Sequence, residues 1–508
     1  MDFNVINKAV AVSKTLFNGF DEQPVDCDFT LPDYYPDIAA VLKCTLKPVI
    51  QSRQISGDRI SVDGMAIVQL LYLDEERKTV QSLEFTKPFS SIFTVQSGIE
   101  SACITADAKT DYLNCRAISP RRIDVHGSFS VKINVSAEGG DDVVSAIECD
   151  TIQTRKAVVS TTVPALSASK MFSVSEVLDV GGDSAEIGAI VRRDASIILG
   201  DCKILANKAI VKGELAVSCL YTAKDGNGAT SKVKQKIPFS QIVDADGLRD
   251  DWICDVSLNI NSCEITDAAN QNGDNCLLEV SAKIFADIRC FRTDIGEIIT
   301  DAYGTKCEIE TETRPIEIEH LREINHSTNQ VREVFELPSD DVDEIVDIWC
   351  DIYKNEVFVE NRNTHINAKL TTHMIARNFE GDLSYYERSS DITLGFEEDG
   401  NYTECSLDIV DVDFDKIASN QCEVLVELAV KRCSYQKTDL NAVVGISYNE
   451  DNVYVEEKAA IKIYYAESGE SVWEVAKACH TSIEAVIEEN ALSGDVLAED
   501  TMLLVPLC

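Results

Sequence analysis

The sequence is poor in the residues that build most catalytic and metal centres. Histidine occurs only six times in 508 residues, at positions 126, 320, 326, 365, 373 and 480. No pair of them forms the His-Glu-x-x-His pattern of zinc hydrolases. No Gly-x-Ser-x-Gly elbow and no phosphate-binding Gly-x4-Gly-Lys-Ser/Thr loop is present. The 18 cysteines contain no Cys-x-x-Cys pair, which removes zinc ribbons and thioredoxin-like motifs. Positive charge is scarce, with 46 Lys and Arg against 87 Asp and Glu and a formal net charge of −41. Such a field repels polyphosphates and anionic lipid surfaces, so no nucleic-acid or membrane partner is expected. No apolar run approaches the roughly 20 residues of a spanning helix. The opening stretch, MDFNVINKAVAVSKTLFNGF, has no basic segment followed by an apolar one, so a cytosolic protein without a secretory signal is expected. Gly (24) and Pro (11) are too few for a fibrous or disordered chain.

Internal repetition is what the chain does have. Residues 62–72 (VDGMAIVQLLY) match 211–221 (VKGELAVSCLY), placing Val62, Gly64, Val68, Leu71 and Tyr72 opposite Val211, Gly213, Val217, Leu220 and Tyr221. A charged turn follows each (DEERK and KDGNG), then KPFSSI at 87–92 and IPFSQI at 237–242. A weaker third copy reads INAKLTTHMIAR at 366–377, with Ala368 where the others have glycine, followed by YYERSSDI at 385–392. Each copy opens on an acidic residue and an Ile-x-x-apolar lead-in, Ile38/Val41, Ile187/Ile190 and Ile345/Ile348. That spacing predicts a single helical turn, with the acidic run DDVDE (340–344) as a helix start. Each copy closes on an alternating stretch, such as Ile123, Val125, Phe129, Val131, Ile133 and Val135, the period of a half-buried strand. The expected fold is therefore mainly β: three tandem antiparallel, sandwich-like repeat domains at 1–160, 170–312 and 330–460. TTVPALSASK (161–170) and ETRPIEIEHLREINHSTNQ (312–330) read as the links between them.

The last stretch changes character and predicts strand, helix, helix, strand over 463–508. Ser468 or Ser471 is expected to cap the first helix and Thr481 or Ser482 the second. Asn490 suits a left-handed turn after it, and Pro506 stops the final strand. Tyr464 or Tyr465, Ser468-Gly469-Glu470-Ser471-Val472-Trp473, Val475-Ala476, Thr481, Ile483, Ile487, Asn490 and Leu504-Val505-Pro506 together resemble the LysM family. The resemblance implies a βααβ domain that binds N-acetylglucosamine-containing glycan between two loops. Carried over, that groove comprises Glu467, Ser468, Gly469, Glu470, Ser471 and Val472 on one side, with Asn490, Ala491, Leu492 and the residues to Leu497 on the other. Asp500-Thr501 departs from the family's usual glycine, and the module carries nine acidic residues. Trp473, inside the helix, is expected to pack rather than to stack on a sugar.

The three repeats followed by this module resemble SPOCS-domain spore-coat morphogenesis proteins of the SipL type. That resemblance implies a non-enzymatic scaffold in the mother-cell cytosol at the forespore surface, with the LysM module docking to a protein of the coat's basal layer. A peptidoglycan-binding, wall-associated protein is the alternative. Neither reading calls for a cofactor, a metal or a catalytic residue. His365 and His373, eight apart, share a strand face but have no evident carboxylate partners. The dispersed cysteines read as small buried hydrophobes in a reducing compartment, or as a store for later oxidative cross-linking.

Overall fold

The computed structural model describes residues 4–95, 102–180, 186–224, 229–337, 342–397, 400–418, 420–454 and 460–506. In the first repeat, alternating apolar residues form β1 (Asn4–Thr30), β2 (Ala40–Ser56), β3 (Arg59–Leu73), β4 (Val80–Thr94), β5 (Cys103–Ser119) and β6 (Arg122–Glu148). They make two antiparallel sheets, ordered β1-β6-β5 and β2-β3-β4. Inward residues of β3 (Ile60, Val62, Val68, Tyr72) and of β6 (Ile123, Val125, Phe129, Val131) share one core. Phe89 meets Phe129 edge to face at 4.9 Å. The Tyr72 hydroxyl, buried with its ring, donates to the Pro36 carbonyl at 3.1 Å. Along one side the sheets adjoin at a seam between β2 and β5, where Thr110 Oγ1 donates to the Leu46 carbonyl at 2.6 Å.

The plan recurs twice. The second repeat comprises β7 (Ile152–Asp179), β8 (Ile187–Leu205), β9 (Lys208–Ala223), β10 (Thr230–Asp244), β11 (Ile253–Ala268) and β12 (Leu277–Gly304). The third comprises β13 (Cys307–Glu336), β14 (Val342–Glu360), β15 (Asn363–Asn378), β16 (Leu383–Glu397), β17 (Tyr402–Ala418) and β18 (Gln421–Val453). Strand order is the same in all three, so the third copy, faint in sequence, is complete in structure. Its departure from glycine has a packing reason. Gly64 pairs with Phe89 and Gly213 with Phe239, whereas Ala368 pairs with Ile392. A Cβ at Gly64 would run into the Val49 carbonyl and the Phe89 ring, and one at Gly213 into the Ile198 carbonyl and the Phe239 ring. With the ring replaced by Ile392, the third copy carries a methyl group.

Two expectations from sequence are corrected. The lead-ins are not helical turns: Ile187 and Ile190 lie in β8, Ile345 and Ile348 in β14, and Ile38 just precedes β2. A β-bulge inserts one residue into the period of two, so same-face residues fall three apart. Register shifts between Ile187 and Ala189, and between Ile345 and Asp347, do this. Of DDVDE, residues 340 and 341 lie outside the described residues, and Val342 opens a strand. The supposed links are also strand: 161–170 lies within β7 and 312–330 within β13.

The first and last strands of each repeat run 27 to 33 residues, well beyond the sandwich. Their free halves form three two-stranded arms, and equivalent residues of the arms meet. Val143, Ile298 and Ala442 share one buried cluster with Val10, Val159 and Ile316. Val144, Ile299 and Val443 share the next. At the other end Leu71, Leu220 and Ile375 come together with Leu42, Val191 and Val346, which are the bulge residues of β2, β8 and β14. The three repeats are thus arranged around a pseudo-threefold axis, and one bulge in each repeat aims a side chain at that axis.

Charge is also buried between repeats. Asp347 of the third repeat is fully buried and accepts from Arg192 Nε at 2.6 Å and Lys232 Nζ at 2.8 Å, both from the second. Burial opposes ionisation of Asp347, but the two cations hold its carboxyl below the usual range. Asp255 of the second repeat pairs with Arg289 and with Lys431 of the third. One cross-strand disulfide, Cys254–Cys290, joins β11 and β12 at directly opposed positions.

Candidate interaction site in the C-terminal module

After β18 the chain forms β19 (Ile461–Ala466), α1 (Val472–Ala478), α2 (Ile483–Asn490) and β20 (Thr501–Pro506), with β19 and β20 antiparallel. Ser471 caps α1 by accepting from the Glu474 amide at 3.2 Å, and Ser482 caps α2 by accepting from Ala485 at 3.2 Å. Val472, Val475, Ala476, Val486, Leu503 and Val505 are its buried centre. The left-handed residue after α2 is Ala491 (φ 50°), not Asn490. Asn490 instead clamps helix to strand: its amide donates to the carbonyls of Val486 at 2.8 Å and Leu504 at 2.7 Å, and accepts from the Leu504 amide at 2.7 Å.

Backbone hydrogen bonds draw the two loops of the expected groove together. The Gly469 amide (φ 89°) donates to Leu497 at 2.8 Å, Leu497 returns a bond to Glu470 at 3.0 Å, and Val472 donates to Asp495 at 2.8 Å. Ser468 donates through its amide to Asp500 at 2.8 Å and through its hydroxyl to Ala498 at 3.1 Å. The Glu467 amide donates to the Glu470 carboxylate at 3.2 Å, which also accepts from the Tyr464 hydroxyl at 2.6 Å. That bond, added to burial, pushes the Tyr464 pKa up to about 12. Residues 468–472 therefore zip against 495–500. Leu492 bonds back to Ile487 at 3.1 Å, so Asn490, Ala491 and Leu492 are tied to α2 and β20 instead. Asp500, which replaces the expected glycine, supplies one of the cross-loop acceptors.

Trp473 is 5% exposed and faces the scaffold. Its ring meets Tyr303 edge on at 5.0 Å, and its Nε1 donates to Asp301 at 2.8 Å. Lys477 Nζ reaches the same carboxylate at 2.7 and 2.9 Å, and the Tyr303 hydroxyl donates to the Thr481 carbonyl at 2.8 Å. His480 stacks on Tyr454 at 3.7 Å. Asp301 and Tyr303 lie at the far end of β12. The equivalent residues are Ala146 and Glu148 in the first repeat and Gly445 and Ser447 in the third. Only the second arm offers this carboxylate and ring, so the module sits there.

Among the described residues, nothing covers the module's outer sheet face. Ile461, Ile463 and Tyr465 alternate along β19 opposite Pro506, Leu504 and Met502 of β20. Ile461 is 46% exposed, Ile463 54%, Tyr465 77% and Met502 53%. Sequence reasoning missed this face because the Ile461-Lys462-Ile463 alternation reads as isoleucines turned inward, whereas Tyr464 and Ala466 are the residues that meet the module core. In a two-stranded sheet only one face can turn inward, and here the other carries the isoleucines.

A second grouping corrects an expectation. His373 is fully buried, and both ring nitrogens face partners: Nε2 lies 3.0 Å from Asp351, and Nδ1 lies 2.7 Å from the Tyr385 hydroxyl and 3.3 Å from Glu387. Lys43 of the first repeat reaches Glu387 at 3.3 Å. Carboxylates therefore do meet this histidine, brought from β14 and β16 by sheet register. His365 lies on the same strand, stacked on Phe358.

The chain is a three-copy β scaffold with an appended helical module. The family model of the SPOCS domain of SipL matches residues 37–118 and 186–266, spanning β2 to β5 of the first repeat and β8 to β11 of the second. The chain is a SPOCS-domain protein similar to SipL. The third repeat lies outside the matched stretches and carries the same strand order. No curated protein and no solved structure matches the chain. Among the described residues, no helix is long and apolar enough to cross a membrane.

Proposed function

We propose that this chain is a non-enzymatic scaffold of spore-coat morphogenesis whose C-terminal, LysM-type module docks to a protein of the coat's basal layer. The SPOCS match marks it as sporulation-related. The working place is the mother-cell cytosol, at the forespore surface. The docking face is the exposed apolar surface of Ile461, Ile463, Tyr465 and Met502. This exposed face carries the reading: neighbouring apolar side chains exposed on an otherwise strongly charged chain mark a contact surface. Anchoring of Trp473 on Asp301 and Tyr303 adds support, since it holds that face rigidly and takes the module's one tryptophan away from any sugar.

The test is capture from sporulating cells by the full chain and by an Ile463→Glu/Tyr465→Glu variant. Enrichment of a coat basal-layer protein by the parent, lost in the variant, is the expected result. Equal capture by both refutes this docking face. Retention on purified peptidoglycan, unaffected by the substitutions, moves the protein to the wall-binding class.

A further inference from the structure

The seam of the first repeat holds a pair of cysteines that the scaffold does not otherwise need. Cys44 on β2 pairs across its sheet with Leu70, and Cys115 on β5 pairs with Val125, so both thiols point into the sandwich from opposite sheets. Both pack against the core of that repeat, Cys44 two residues from Leu46, whose carbonyl the Thr110 hydroxyl bonds to close the seam. Both are half-buried. The same two places hold Arg193 and Ile265 in the second repeat, and Ile348 and Phe414 in the third. The fold therefore works without cysteine there, and the pair is particular to the first repeat.

We propose that Cys44 and Cys115 form a dithiol–disulfide site that cross-links the two sheets of the first repeat, with Cys115 as the attacking and Cys44 as the resolving thiol. Interaction with Cys44 lowers the Cys115 pKa, while interaction with Cys115, together with burial, raises that of Cys44. By contrast, burial raises Cys219 and Cys422 to about 11. The oxidant is a small disulfide. The Cys115 thiolate attacks one of its sulfurs, forming a mixed disulfide and expelling one thiolate. Cys44 then gives up its proton and attacks the Cys115 sulfur. The intramolecular S–S bond forms and the second thiol leaves. Two protein thiols are oxidised by two electrons, and one small disulfide is reduced to two thiols.

The experiment uses the folded full chain with oxidised glutathione as probe, followed by alkylation, non-reducing digestion and mass spectrometry. The expected result is a Cys44–Cys115 linked peptide appearing about tenfold faster than glutathione adds to Cys219 or Cys422. In Cys44→Ser the glutathione adduct should accumulate on Cys115, because no resolving thiol remains. Unreacted Cys44 and Cys115 in the parent overturn the proposal. So does a stable adduct on Cys115 with Cys44 present, or a Cys44→Ser chain that gathers none.

Discussion

Replacing Asp347 by alanine should loosen the join between the second and third repeats. The side chain is fully buried and is the shared acceptor of Arg192 and Lys232. Without it Arg192, 6% exposed, keeps Asp194 as its carboxylate partner, and Lys232 loses the Asp347 carboxylate. Removing one member of a buried ion pair costs about 3–5 kcal/mol, because the remaining charge stays desolvated. Retention of Asp194 by Arg192 places the expectation near the low end, about 3 kcal/mol. At a urea slope of about 2 kcal/mol/M, the transition that exposes this interface should move down by roughly 1.5 M. Trp349 stacks under Arg192 at 4.8 Å and so reports on that transition by its fluorescence. The effect should also depend on pH. Because the folded Asp347 pKa is depressed, its stabilisation is present above the ordinary carboxylate range and is lost as pH falls through the folded value. The parent and D347A should therefore converge in strong acid. A shift below about 0.5 M at pH 7, or a difference that grows on acidification, would refute the reasoning.

Three further outcomes are expected. Ile298→Ala opens a cavity among the arms at the axis and should cost about 2–5 kcal/mol in a denaturant titration. Asp301→Ala removes the acceptor of Trp473 and Lys477; since that ion pair is partly solvated, module docking should weaken by only about 1–2 kcal/mol. It would show as faster amide exchange over Val472–Ala478 with exchange in the repeats unchanged. Ser482→Ala deletes the α2 cap and should lower module stability by about 1 kcal/mol, measured the same way over Ile483–Asn490.

Much of the architecture was legible because the burial period and the Val-x-Gly strand repeat directly in the residues. What was hidden shows where pattern reading is weak. A bulge at Gly188 or Val346 turns a spacing of two into three, which imitates a helical turn. The TTVPALSASK stretch looks like a linker because its residues are small. Yet Thr161, Thr162 and Val163 are buried, and the Thr162 hydroxyl accepts from the Leu321 amide of the neighbouring arm at 3.0 Å. The pairing of His373 with Asp351 and Glu387 depends on register between three strands, information that local sequence does not contain. In the module, the sequence narrowed the helix caps to Ser468 or Ser471 and to Thr481 or Ser482, and Ser471 and Ser482 are the ones used. Its anchorage on Asp301 and Tyr303 was not, because those residues are more than 160 positions away in the chain.

The most direct test of the docking account is a calorimetric titration of the full chain with an N-acetylglucosamine tetramer and, separately, with the basal-layer protein that it captures. The account predicts saturable binding to the protein, abolished by Ile463→Glu/Tyr465→Glu, and no heat of binding with the tetramer. Saturable tetramer binding that survives the double substitution, with no protein binding, would contradict it.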